Sequence, residues 1–153
     1  MRTIEATQAA AGLRVAVVVS KYNDFVTDRL QAGALAALAK AGVTDITVIK
    51  VPGAFEISLA AHQAAATKKH DAVVCLGCLI RGATAHFEYI ASAVSHGITS
   101  AAGATGVPIT FGVLTTNSVE EAIERAGDGS SNKGWEAAVA AVEMAGIIAQ
   151  LKQ

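Results

Sequence analysis

Residues 71–86, DAVVCLGCLIRGATAH, decide the fold of this chain. The continuous apolar run 71–77 is typical of a strand that is buried on both faces. A polar loop with one glycine follows, and a helical pattern then runs from about Ala85 to Ser100. A buried strand that leads through a short loop into a helix is half of a βαβ unit, so it predicts a parallel sheet.

The same alternation of strand and helix continues on both sides of this segment. Apolar runs at 15–20, 46–51 and 109–115 predict three more strands, and residues 26–42 carry apolar side chains at helical spacing. Each predicted strand carries apolar residues on both faces, so we expect helices on both faces of the sheet. The sequence therefore predicts one α/β domain over 1–153, a flavodoxin-like three-layer α/β/α sandwich with a four-stranded parallel core sheet.

Three further segments complete the prediction. Ser118 is expected to cap a short helix over 119–126. The last helix is expected to place Trp135, Val139, Val142 and Gly146 on one stripe. Residues 1–11 fit none of these units, and we expect them to form an arm that adds an edge strand to a neighbouring subunit.

The composition favours an oligomer. The chain is 52% hydrophobic and 16% charged, against about 25% charged in average domains. A small domain cannot hide that much apolar surface alone, although an alanine-rich chain also has a high apolar fraction. The formal net charge of -1 argues against nucleic acid and membrane partners. The apolar run near the start is too short for a leader or a span, so we expect a cytoplasmic protein.

The spacing of cysteines and histidines does not indicate a metal site. Cys75 and Cys78 lie on a strand, where positions three apart face opposite sides, so their sulfurs should diverge. His62 and His96 fall within helices and His70 lies on an exposed turn, without metal-ligand spacing.

The strongest candidate for chemistry is the loop from Arg81 to His86. Gly82 allows close approach of a ligand, Thr84 supplies a hydroxyl, and the following helix start offers free N–H groups for an anion such as phosphate. His86 lies beside them and can transfer protons near neutral pH. Taken alone, the loop is more commonly interpreted as an ordinary βα loop in which the threonine caps the helix and the histidine faces solvent.

Other ligand signals are weaker. Neither a P-loop nor a dinucleotide fingerprint is present, so neither ATP nor NAD is supported as a cofactor. Tyr22 and Phe55 lie in loops at strand ends and Phe111 lies inside the fourth strand. Aromatic faces near a cleft at the strand ends suit a flat heterocycle, although a core position is the default for each. Arg125 either binds a phosphate or simply complements the end of its helix.

Four segments, taken together, resemble lumazine synthases. They are VPGAFEI at 51–57, IRGATAHFEYI at 80–90, PITFGV at 108–113 and NKGWEAA at 132–138. They occur in the family's order, and the likeness covers the chain from Gly12 to the last helix.

The resemblance implies a role for each site residue. Tyr22 stacks on the pyrimidine, a position where many relatives have phenylalanine. The pyrimidine and its ribityl chain are bound by Ala54, Phe55, Glu56, Cys78, Leu79 and Ile80. The phosphate is held by Ala83, Thr84 and Arg125, and His86 transfers protons. Phe111, Arg125 and Lys133 reach in from the adjacent subunit, where Phe111 and Lys133 bind the pyrimidine and its ribityl chain.

The resemblance also implies a reaction and an assembly. The substrates are a ribitylaminopyrimidine and a phosphorylated dihydroxybutanone, and the reaction needs neither coenzyme nor metal. The subunits form a pentamer, and the short connection 127–132 resembles that of relatives with sixty-subunit icosahedral shells; riboflavin synthase as a partner stays open. The alternative is a flavodoxin-like carrier or sensor that binds flavin without chemistry.

Overall fold

Strands and helices alternate along the part of the chain that the computed structural model describes, residues 1–6 and 10–153. The elements are β1 (Arg14–Ser20), α1 (Asp24–Ala41), β2 (Asp45–Val51), α2 (Ile57–Ala66), β3 (Ala72–Ile80), α3 (His86–Thr105), β4 (Ile109–Thr116), α4 (Val119–Arg125) and α5 (Lys133–Leu151). Short 3₁₀ turns at Ala54–Glu56 and Gly129–Ser131 come just before α2 and α5.

The sheet has four parallel strands in the order β2-β1-β3-β4. Two apolar cores lie on its opposite faces. Residues of α1, α4 and α5 form one core, and residues of α2 and α3 form the other. This strand order and the two helical layers confirm the predicted flavodoxin-like α/β/α sandwich.

The prediction that every strand is covered on both faces is wrong for β2. This strand lies at the edge of the sheet, and most of its side chains are exposed or half-buried, Val51 being buried. In contrast, six of the seven residues of β1 are buried. An apolar run alone does not distinguish an edge strand from a central one, because burial depends on the neighbours that the topology supplies.

The end of α3 was also predicted wrongly. The helix continues past Ser100 and Gly103 to Thr105 and ends where Gly106 adopts a left-handed conformation with φ of 71°. Gly103 lies on an exposed face with open space around it, so the helix tolerates it at a cost of about 1 kcal/mol relative to alanine.

The stripe predicted for α5 is buried only in part, although its Trp135 packs against the core. Val142 is buried, whereas Val139 is exposed and Trp135 and Gly146 are half-buried. The buried face instead consists of small residues, namely Gly134, Ala137, Ala138, Ala141 and Ala145, together with Val142. By length and composition α5 is also apolar enough to cross a membrane, a property that buried core helices share.

Close approach of the elements explains this preference for small side chains. A Cβ added to Gly134 would lie 2.0 Å from the Leu30 carbonyl oxygen of α1, and one added to Gly112 of β4 would lie 3.1 Å from the Ala137 Cβ. Two larger apolar side chains of α5, Val139 and Met144, are exposed, so a single subunit leaves them uncovered.

Asn132 joins α1, the turn after α4 and the start of α5. Its Oδ1 accepts hydrogen bonds from the backbone N–H groups of Gly134 at 2.8 Å and Trp135 at 3.1 Å. Its Nδ2 donates to the carbonyls of Gly127 at 2.8 Å and Arg29 at 3.2 Å. The side chain is a buried helix cap, and both of its polar atoms are paired.

The N-terminal arm has no helix or strand within residues 1–6, and residues 7–9 lie outside the described residues. The carbonyl of Glu5 accepts a hydrogen bond from Gln150 of α5 at 2.9 Å. The pairing of this arm with a neighbouring subunit stays a prediction.

Candidate active site

A cavity of about 770 Å³ opens at the carboxyl ends of the strands. It lies where β1 and β3 diverge, β1 being followed by a connection to β2 on one side and β3 by a connection to β4 on the other. This switch in direction is where doubly wound α/β sheets bind ligands. We call this cavity the crevice.

Most residues predicted for the site line the crevice. They come from the end of β3, from the segments after β1, β2 and β3, and from the start of α3: Tyr22, Ala54, Phe55, Glu56, Cys78, Leu79, Ile80, Thr84 and His86. Ala83 does not line it, and its side chain is exposed. The loops that the sequence placed together therefore do meet in space.

Aromatic rings border the crevice instead of filling the core. Tyr22 is 72% exposed and Phe55 is 61% exposed, so the default core position is wrong for both. Glu56, beside Phe55, is half-buried and supplies a carboxylate. An exposed ring next to a carboxylate suits a flat heterocycle that carries hydroxyl groups.

The other end of the crevice is polar and contains the start of α3. His86 is the first residue of this helix, and its backbone N–H donates to the Thr84 hydroxyl at 3.4 Å. Ala85 at the N-cap offers no side-chain oxygen, so the N-cap side chain does not compete with an anion for the N–H groups of the first turn. The His86 imidazole is exposed and lies within reach of anything held there.

Arg81 turns away from the crevice, although the sequence grouped it with this loop. Its guanidinium carbon lies 4.5 Å from the ring centroid of Phe87, and its Nε donates to Asn117 Oδ1 at 3.0 Å. It also forms an ion pair with Glu88. Arg81 thus ties the first turn of α3 to the end of β4.

The two cysteines lie on opposite faces of the sheet, as their spacing predicted. Cys75 belongs to the core beneath α2 and α3, and Cys78 to the core beneath α1 and α5. Burial raises the pKa of Cys75 to about 12 and that of Cys78 to about 11. Both are therefore thiols at neutral pH and not thiolate nucleophiles. Among the described residues, no cluster of three or more potential metal ligands occurs.

Phe111, Arg125 and Lys133 line a different cavity, of about 340 Å³, beside β4. We call it the edge cavity. Phe111 is 46% exposed, and the Lys133 Nζ lies 3.0 Å from Glu136 Oε2. Arg125 Nη1 donates to the Glu121 carbonyl at 3.3 Å. These three residues are not among those that line the crevice.

Sequence reasoning missed several lining residues. Asn23, Phe87 and Ile90 line the crevice beside residues that were predicted. Ile90 follows His86 by four positions, so helical spacing could have found it, whereas Phe87 directly follows His86 and is not found in this way. Asn23 directly follows Tyr22, but its neighbours in space depend on the fold.

This fold and crevice define a flavodoxin-type α/β domain whose crevice is bordered by exposed aromatic rings, a carboxylate and the start of α3. The family model described as 6,7-dimethyl-8-ribityllumazine synthase matches residues 12–149. The chain belongs to the 6,7-dimethyl-8-ribityllumazine synthase family, whose members are transferases of riboflavin biosynthesis.

Two curated relatives agree with this assignment. The chain is 48% identical over 153 residues to the 6,7-dimethyl-8-ribityllumazine synthase of Desulfatibacillum aliphaticivorans, with 99% of each chain covered. It is 51% identical over 144 residues to the 6,7-dimethyl-8-ribityllumazine synthase of Syntrophus aciditrophicus (strain SB), with 93% of this chain and 94% of the relative covered.

Proposed function

We propose that this chain condenses 5-amino-6-(D-ribitylamino)uracil with 3,4-dihydroxy-2-butanone 4-phosphate to give 6,7-dimethyl-8-ribityllumazine. The observation that carries the proposal is that one crevice holds exposed aromatic rings, a carboxylate and the uncapped start of α3 beside His86. A ring, a hydroxylated chain and a phosphate are the groups that the two substrates bring to it.

The pyrimidine occupies the end of the crevice that contains Tyr22. The tyrosine ring stacks on the heterocycle, and the ends of β2 and β3 bind its edge and the ribityl chain through Ala54, Phe55, Glu56, Cys78, Leu79 and Ile80. Buried Cys78 takes part through its backbone, because its protonated thiol is a poor partner for a polar ring.

The butanone phosphate occupies the polar end. The loop at Ala83 and Thr84 and the first N–H groups of α3 hold the phosphate. The pyrimidine amine attacks the ketone, and loss of water gives an imine. Phosphate is then eliminated, and ring closure releases a second water. His86 moves protons during these steps.

The site is completed by a neighbouring subunit in a ring of five. Phe111, Arg125 and Lys133 all face the edge cavity, which places an aromatic ring and two cations on a surface away from the crevice. The helices that carry Arg125 and Lys133 also have exposed apolar side chains, which support a subunit contact there: Val119, Ile123, Val139 and Met144. The edge cavity of one subunit then closes over the crevice of the next.

Twelve such pentamers form an icosahedral shell of sixty subunits. The connection between α4 and α5 is short, with only a 3₁₀ turn between Arg125 and Lys133, so it leaves the contacts between pentamers open. We propose that the N-terminal arm adds an edge strand to a neighbouring subunit, and the exposed strand β2 at the edge of the sheet offers a place for it. Light scattering should give the mass of the shell; a mass of five or ten subunits would limit the assembly to pentamers or their pairs.

Mixing the purified protein with both substrates tests the proposed reaction. Lumazine fluorescence should appear faster than in the uncatalysed mixture. The competing function is a flavin carrier or sensor without chemistry, which the exposed aromatic rings would also suit. Tight flavin binding with no turnover above background would favour that function and reject the enzyme.

Arg125→Lys should raise the KM for the butanone phosphate about tenfold and leave the KM for the pyrimidine nearly unchanged. Lysine keeps the charge but loses the bidentate fork that matches a phosphate. Arg29→Lys, on an exposed position of α1, is the matched control and should change neither KM. Equal increases for both substrates would place Arg125 outside the phosphate site.

A further inference from the structure

Asn23 adopts a backbone conformation that few residues accept. It lies between β1 and α1 with φ of 62° and ψ of 46°, in the left-handed region that asparagine tolerates better than most residues. Its carbonyl accepts hydrogen bonds from the N–H groups of Val26 at 2.9 Å and Thr27 at 3.0 Å. The conformation therefore fixes the direction in which the chain leaves β1, immediately after Tyr22.

The Asn23 side chain bridges the mouth of the crevice. Backbone pairing between β1 and β3 ends at Val19 and Leu76, after which the two strands separate. Asn23 Nδ2 donates to the Cys78 carbonyl at 2.9 Å, two residues beyond the end of this pairing. Among residues 1–6 and 10–153, no other hydrogen bond links the loop after β1 to β3.

The same loop is held differently on its other side. The backbone N–H groups of Lys21 and Tyr22 donate to the carbonyls of Val51 at 2.8 Å and Pro52 at 3.1 Å, which continues the pairing of β1 with β2. The loop is thus attached to β2 by its backbone and to β3 by one side chain. That side chain is the direct link between the loop that carries Tyr22 and the end of β3.

We propose that Asn23 is a positioning residue that sets the width of the slot between the Tyr22 ring and the backbone of β3 at residues 78–80. The inference rests on the proposed function, in which a flat pyrimidine enters this slot. Asn23 acts by holding the two walls together, so its loss should weaken binding of the pyrimidine and leave the phosphate end of the crevice unaffected.

Two substitutions test this role. Asn23→Asp keeps the shape of the side chain but cannot donate to the Cys78 carbonyl. Asn23→Gly keeps the left-handed backbone without strain and removes the side-chain amide. It therefore tests the loss of the hydrogen bond to Cys78 even if the aspartate variant does not fold. Asn117→Asp is the matched control, because Asn117 lies at the end of β4, outside the crevice, and an aspartate can still accept the hydrogen bond from Arg81.

Calorimetric titration with the pyrimidine substrate alone, followed by steady-state kinetics with both substrates, gives the answer. Both Asn23 variants should raise the Kd and KM for the pyrimidine about 3- to 10-fold, with kcat and the KM for the butanone phosphate unchanged. An unchanged pyrimidine Kd, or an equal rise in both KM values, would overturn the inference. Absence of wild-type turnover would instead reject the proposed function, and the titration would still test Asn23.

Discussion

His86→Ala is expected to lower kcat about 100-fold while leaving turnover above the uncatalysed rate. General acid–base catalysis raises reaction rates about 10²–10⁴-fold. We expect a factor at the lower end of this range, because the His86 imidazole is exposed to solvent. Holding two substrates in reactive geometry supplies much of the remaining acceleration, and this does not depend on the histidine. The measurement is kcat at saturating concentrations of both substrates.

His62→Ala is the matched control for this variant. His62 is exposed on α2 and does not line the crevice, so its replacement should leave kcat unchanged. Light scattering should show the same assembly for both variants. Complete loss of activity in an intact His86→Ala assembly would mean that positioning contributes far less than we argue, and an unchanged kcat would remove His86 from the reaction.

Asn132→Ala is expected to lower the free energy of unfolding by about 3 kcal/mol. Loss of an N-cap costs about 1 kcal/mol, and the carbonyls of Arg29 and Gly127 would also be left without their buried donor. For a chain of this length the melting temperature should fall by about 6–12 °C. Thermal unfolding should be compared at one protein concentration, because subunit association also stabilises the fold.

Ser118→Ala is the matched control, because Ser118 caps α4 with a single hydrogen bond to the Glu121 N–H at 3.2 Å. It should cost about 1 kcal/mol, as a simple cap does. The difference between the two variants measures what Asn132 adds by joining α1 to the turn before α5. An equal loss in both would show that Asn132 acts only as a helix cap.

The sheet could be predicted from the sequence because its central strands carry a local signal. The apolar runs of β1 and β3 contain no polar alternation, and both strands are buried. The exposure of β2 and the small-residue face of α5 could not be predicted in this way. Both depend on which element lies alongside, as the close contact of Gly134 with Leu30 illustrates.

In the candidate site, too, some residues could be predicted from the sequence and others depend on tertiary contacts. Tyr22, Phe55 and His86 were found because the carboxyl ends of parallel strands must meet at one edge of the sheet. The grouping of Phe111, Arg125 and Lys133 followed from the family resemblance and not from their spacing. The roles of Asn23 and Arg81 depend on hydrogen bonds to Cys78 and Asn117, which are distant in sequence. No local pattern encodes such contacts.

A mixed assembly of two damaged chains tests most directly whether one active site is built from the crevice of one subunit and the edge cavity of the next. His86→Ala damages the crevice and Arg125→Ala damages the edge cavity, so each variant alone should have a low kcat/KM for the butanone phosphate. Unfolding and refolding them together in equal amounts should pair an intact crevice with an intact edge cavity at about a quarter of the interfaces of a random ring. Our account predicts recovery of about a quarter of the wild-type kcat/KM. Activity that stays at the average of the two separate variants would contradict a shared site.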